Sequence, residues 1–309
     1  MTSAADPGAR QMVTSGEGRL TVPIGYRGRT TSISADWYFP PVATAAGLVW
    51  LQHGFARRRA NVAGLARSIA SAADAIVVAP SVSSNALSPS GCWINGLALH
   101  RAVARLFGEC FGTLEVGADE AARAAGIARI LLPRAFVIAG HSAGGNLATS
   151  SAGYTTVDTV DGRPDSPPAA TNLRGVVLLD AVDHAGVMDR GLGRLSGQFA
   201  RPVWTIAAPD SRCNAHGRGT KVLQRARAGQ FVGVRLAGGT HVDAEGEEPG
   251  RFATAMCGVP LPENVAGLRD LAAGWIRNLL NGIDTPAYLA GTPSGTVTTL
   301  KGGAGATTL

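Results

Sequence analysis

The chain has 309 residues, 45% of them hydrophobic and 16% charged, a balance that excludes wholesale disorder and supplies enough apolar side chains for a large core. With 41 glycines but no triplet repeat it is not collagen-like, and without an apolar run of ~18 residues nothing reads as a membrane span. The net charge of +6 comes almost wholly from arginines scattered singly, and aromatics are only 6%, so no nucleic-acid partner is expected.

Residues 1–18 are polar and small, with no basic region followed by an apolar stretch. They read as a flexible N-terminal segment with no visible secretory signal, and the compartment stays open. A single folded domain is expected over 19–284. It begins with edge strands around 20–24 and 32–39. Six short apolar runs follow, at 47–51, 75–79, 135–139, 176–179, 203–207 and 231–236. Continuous runs of this length suit parallel strands buried on both faces. Helix-like stretches lie between them at 60–73, 95–108 and 118–130. Residues 155–172, rich in Asp, Pro, Ser and Thr, read as an excursion that can rim a site. The clearest helix is 264–281, with Asn264 placed to cap its start and Gly282 its end. Residues 285–309, mostly Gly, Thr, Ala and Pro, read as a disordered tail. The order predicts an α/β fold: an open, mostly parallel central sheet with helices on both faces.

None of the four cysteines has CxxC or Cys/His zinc spacing, so no structural metal is expected. Cys92 and Cys110 flank a helical stretch that would hold them about 27 Å apart, too far to bridge. Cys213 and Cys257 lie in two late loops and can form a disulfide; the alternative is four reduced thiols.

The central chemical signal is Gly140-His141-Ser142-Ala143-Gly144. In a glycine-rich chain the bare G-x-S-x-G pattern carries little weight. Its context carries more, because a strong strand precedes it and a helix pattern starting at Gly145 follows. A serine on so sharp a turn needs small flanking residues, and its hydroxyl then stands above the sheet edge. Ser142 is the expected nucleophile. A serine hydroxyl needs a base, and His241, in a glycine-rich loop after the sixth run, is best placed. His53 and His141 read as parts of backbone turns, His184 and His216 as wall residues, and His100 as a structural histidine in a helix.

The imidazole needs an acid to fix its tautomer. Asp180 ends the fourth run and is the first choice; Asp210, two residues beyond the Ala208 that follows the fifth run, is the alternative, and Asp183 a third. The two backbone donors of an oxyanion hole are assigned to Ala143, after the serine, and to Phe55, after the His53-Gly54 turn that ends the first run.

With these residues the chain resembles the α/β-hydrolase superfamily over about residues 20–282. Within it the chain most resembles chlorophyllase-like and bacterial cutinase-like esterases, including polyester hydrolases. The features are His53-Gly54-Phe55, the strand ending Ile76-Val77-Val78-Ala79-Pro80, and Gly140-His141-Ser142-Ala143-Gly144-Gly145. In chlorophyllase-like enzymes the acid follows the strand after the elbow, which Leu179-Asp180-Ala181-Val182-Asp183 matches. In cutinase-like enzymes it comes one strand later and would select Asp210. The resemblance implies hydrolysis of a small-molecule or lipid-like ester, or of a polymeric ester, without cofactor or metal. The alternatives are a cutinase-like polyester hydrolase or lipase using Asp210, and a non-catalytic binding protein of the same fold. A substrate wall is expected from the loops at 55–61, 80–96, 155–172, 181–199 and 208–218, with Phe55, Trp93, His184 and Phe199 as lining residues. The cluster Arg57-Arg58-Arg59 either attracts an acidic substrate group or forms a solvated helix start.

Overall fold

The computed structural model describes residues 12–24, 29–88, 90–156, 171–283 and 293–309. Among these residues ten strands form one sheet: β1 (Thr14–Val22), β2 (Thr31–Phe39), β3 (Gly47–Gln52), β4 (Ala75–Pro80), β5 (Phe136–His141), β6 (Leu173–Leu179), β7 (Val203–Ala207), β8 (Gly233–Leu236), β9 (Val297–Thr299) and β10 (Gly305–Thr308). The spatial order is β1-β2-β4-β3-β5-β6-β7-β8-β10-β9. The stretch from β4 to β8 in that order is parallel; the strands outside it are antiparallel.

The continuous apolar runs are explained by two cores. Leu48, Trp50, Ile138 and Leu178 enter one, and their neighbours Val49, Leu51, Ala139 and Leu179 the other. Successive side chains of a strand point to opposite faces, so burial on both sides requires an apolar residue at every position. Helices α1 (Ala63–Ala72) and α8 (Pro262–Leu280) cover one face. Helices α2 (Leu97–Leu106), α3 (Phe111–Ala124), α4 (Ala143–Tyr154), α5 (Val187–Arg194) and α6 (Arg218–Ala226) cover the other. A short helix, α7 (Arg251–Cys257), precedes α8. On α8 the residues Leu268, Leu271, Trp275, Ile276 and Leu279 are buried, each contributing roughly 1.5–3 kcal/mol of apolar burial. No helix among the described residues is long and apolar enough to cross a membrane.

Several boundaries differ from the sequence reading. β1 starts at Thr14, inside the segment read as flexible, while residues 1–11 lie outside the described residues. Small residues here serve close packing: a Cβ on Gly16 would collide with the carbonyl oxygen of Ala121 on α3. Helix α3 runs over 111–124 rather than 118–130, because Gly126 takes φ +77° and ends it. Helix α8 starts with Pro262 at its first turn. Asn264 is therefore inside the helix and is not its cap; its Nδ2 donates to the Ala237 carbonyl at 3.1 Å.

The tail is also corrected. β10 pairs with β8, Ala306 opposite Leu236, and β9 pairs with β10. Leu300, Ala304 and Ala306 are buried in the same core as α8. Short Thr/Gly strands carry no local apolar period, so only the long-range pairing reveals them. Most of the 155–172 excursion, residues 157–170, lies outside the described residues.

Cys213 and Cys257 form a disulfide, Cα to Cα 5.7 Å, joining the loop after β7 to the end of α7. Cys92 and Cys110 are free thiols, and burial pushes the Cys92 thiol up to about 11.

Candidate active site

Parallel strands joined by crossover helices bring all their carboxyl ends to one edge, and the loops there form a crevice. Ser142 follows β5 directly and stands at φ +56°, ψ −121° immediately before α4. A non-glycine residue held there is strained by roughly 1–3 kcal/mol. The crowding around it shows why its neighbours are small. A Cβ on Gly144 would collide with the carbonyl oxygen of Gln52 at the end of β3. Ala143 opens α4, so its N–H is among those of the first turn that have no partner within the helix.

His241 lies in the turn after β8. Asp243 braces this turn, accepting the Thr240 N–H at 2.9 Å and the Thr240 hydroxyl. The His241 Nε2 lies 2.9 Å from Ser142 Oγ, and its Nδ1 lies 2.6 Å from Asp180 Oδ2. An ionised carboxylate only accepts, so Nδ1–H donates to Asp180 and Nε2 accepts the serine proton. Asp180 directly follows β6 at φ +46° and is buried. Its other oxygen, Oδ1, accepts the Ala208 N–H at 3.1 Å and the Asn214 Nδ2 at 3.3 Å.

His53 directly follows β3. Its Nε2 accepts the Val82 N–H at 3.0 Å, so its Nδ1–H donates to the Gly54 carbonyl at 2.8 Å. In a trans peptide the C=O and the next N–H point opposite ways. Fixing the Gly54 oxygen therefore fixes the direction of the Phe55 N–H. Gly54 packs against the serine: a Cβ built on it would lie 3.1 Å from Ser142 Cβ.

The other predicted residues divide. Trp93 and His184 meet, with ring centroids 6.0 Å apart at 80°. His184 N–H also donates to Asn146 Oδ1 on the first turn of α4, at 3.4 Å. The Phe55 side chain is exposed. Phe199 is a correction: it lies in a 3-10 turn just before β7, at the amino edge of the sheet, away from Ser142. Asp210 is not the partner of His241. It pairs with Lys221 at 2.7 Å and Arg235 at 3.6 Å. Asp183 accepts the Gly186 and Met188 N–H groups at the start of α5. His216 is exposed in the loop before α6. In the arginine cluster, Arg59 pairs with Glu17 and Asp36, and Arg57 with Glu245, so two of the three guanidiniums bind the protein itself. Asn214 and Glu245 were not singled out by sequence. A buried polar side chain in a loop has no periodicity to mark it.

Three histidines are held neutral by burial. His53 is pushed down to about 4, His100 to about 4 and His141 to about 3, the last helped by the charge of nearby His241. Free histidine titrates near 6.5. The unfolded chain thus binds up to three more protons than the folded one between about pH 6 and 4. The stability these groups contribute is complete above pH 6.5 and is lost as pH falls. The expected slope approaches on the order of 4 kcal/mol per pH unit within that window. Urea unfolding midpoints should be flat from pH 7 to 8 and drop steeply from 6 to 4; a flat profile down to pH 4 contradicts the neutral burial.

No family model matches the chain, and no curated protein matches it. Solved structures do. A thermostable esterase from Pseudomonas putida is 15% identical with a TM-score of 0.53, over 90% of this chain and 85% of that one. Carboxyl esterase 2 from the mycorrhizal fungus Tuber melanosporum is 14% identical with a TM-score of 0.51, over 90% and 89%. A thermophilic carboxylesterase cloned from a metagenomic library is 18% identical with a TM-score of 0.50, over 87% and 91%. The chain has the α/β-hydrolase fold, with a mostly parallel central sheet and helices on both faces.

Proposed function

We propose that the protein is a serine hydrolase that cleaves carboxylic esters through an acyl-enzyme on Ser142. The observation that carries this reading is the row Ser142 Oγ, His241 and Asp180, linked at 2.9 and 2.6 Å. Ser142 Oγ attacks the ester carbonyl carbon as its proton passes to His241 Nε2. The carbonyl oxygen becomes an oxyanion, held by the N–H groups of Phe55 and Ala143. Collapse breaks the bond to the leaving alkoxide, which takes the proton from His241 and departs as the alcohol. Water then attacks the acyl carbon, giving its proton to His241. The second collapse releases the carboxylic acid and returns that proton to Ser142. Each step uses only this chain's side chains, its backbone and water.

The esterase names of the structural neighbours support esters as the substrate class. An acid directly after β6, in Leu179-Asp180-Ala181-Val182-Asp183, supports the chlorophyllase-like side of the resemblance over the cutinase-like one. Trp93, His184 and Phe55 are proposed to line the ester's path.

The test is pre-steady-state hydrolysis of p-nitrophenyl esters of increasing chain length. A burst of p-nitrophenol stoichiometric with enzyme is expected, together with a fluorophosphonate adduct mapped to Ser142. Neither turnover nor adduct would leave a non-catalytic binding protein.

A further inference from the structure

The acyl-enzyme reading needs three loops in register: 53–57 with the Phe55 donor, 140–142 with the nucleophile, and 241–246 with the base. Glu245 meets all three. It lies in the 3-10 turn Asp243–Glu245, just past His241, and its side chain is 1% exposed. Its Oε1 accepts the Arg57 Nε–H at 2.9 Å; it lies 3.7 Å from His141 Nδ1, a packing contact without a hydrogen bond, since neutral His141 carries its proton on Nε2. Arg57 in turn donates its backbone N–H to the Gly54 carbonyl at 3.3 Å, the same oxygen that His53 holds. His141, the residue before Ser142, donates Nε2–H to the His241 carbonyl at 2.7 Å. The circuit runs from the Gly54–Phe55 peptide through Arg57 and Glu245 to the His241 turn, and through His141 back to the serine.

A buried ion pair adds little net stability, because desolvation offsets most of the attraction. Apolar side chains of similar volume would serve packing as well. What the pair supplies is geometry: a charge-assisted hydrogen bond from a cation at residue 57 to the buried carboxylate ties one loop to the other at a set distance. Burial raises the Glu245 carboxyl and Arg57 opposes that rise.

We propose that Glu245 is a positioning residue for the reaction, holding the Phe55 donor, through Arg57, in register with His241 and Ser142. It touches neither substrate nor the reacting atoms. The inference rests on the acyl-enzyme reading. A displacement of about 1 Å at such a site can cost about 100-fold in rate.

The experiment compares Glu245→Gln, Arg57→Met, the double variant and Arg57→Lys. Turnover of p-nitrophenyl acetate is expressed per Ser142 titrated by fluorophosphonate, which removes any misfolded fraction from the result. Glu245→Gln and Arg57→Met are each expected to lower kcat per titrated site by about 10- to 100-fold with KM within about two-fold. The double variant should lose no more than the worse single one, since the circuit is broken only once. Arg57→Lys, which keeps the cation, should recover most of the loss in Arg57→Met. If Glu245→Gln does not fold, the Lys and Met variants at Arg57 decide alone. Wild-type kcat per titrated site in Glu245→Gln, losses that multiply in the double variant, or equal loss in Arg57→Lys and Arg57→Met would each overturn the proposal. A wild-type protein that neither labels nor turns over overturns the acyl-enzyme reading instead.

Discussion

Ser142→Ala is expected to lower kcat for ester hydrolysis by about 10⁶-fold while leaving the fold intact. The hydroxyl donates to His241 Nε2, and Ala removes one oxygen from a turn crowded by Gly144 and Gly54. No cavity of consequence opens. His241→Ala should lose about as much, because hydroxyl and imidazole act as one unit, and the double variant should lose little more. Steady-state kinetics on p-nitrophenyl acetate, with thermal unfolding as the control, checks this. A Ser142→Ala protein keeping more than about 1% of wild-type kcat would place the chemistry elsewhere.

Asp180→Asn is expected to lower kcat by about 10⁴-fold, and Asp210→Asn by no more than two-fold. The reason for the first lies in the acid's own surroundings. Asp180 Oδ1 accepts from the Ala208 N–H and from Asn214 Nδ2. In Asp180→Asn those two donors hold the amide oxygen, so the NH₂ must face His241 Nδ1. The imidazole then keeps its proton on Nε2, where Ser142 needs an acceptor. For the second, Asp210 is 39% exposed and its pairs with Lys221 and Arg235 are surface contacts worth at most about 1 kcal/mol. The two variants measured side by side separate the strand-end acid from the later one. The reverse ranking would move the acid to Asp210 and restore the cutinase-like alternative.

The parts of this site that sequence revealed are those tied to strand ends. Ser142 and Asp180 directly follow β5 and β6, and His241 follows β8 by a short glycine-rich turn, so the end of each apolar run locates them. Phe199 was misplaced because α5 carries the chain back to the other edge before β7, a distance the residue count does not show. Asn214 and Glu245 were missed because their importance is wholly tertiary: one supports Asp180 across 34 residues of chain, the other joins Arg57 across 188. The start of β1 and the terminal strands escaped for a related reason. Edge strands with one wet face or small residues carry too few apolar side chains to set a period, and their partners are distant in sequence.

The closing hairpin has a practical consequence for anyone shortening the gene product. Cutting after residue 283 would leave the reacting serine, histidine and aspartate in place. It would also strip β10 from β8 and bare a row of unpaired amides and carbonyls beside Leu236. Such a margin invites a neighbouring molecule to add its own strand. Residues 293–309 thus cover the β8 edge, and their removal would show first as clumping in the tube.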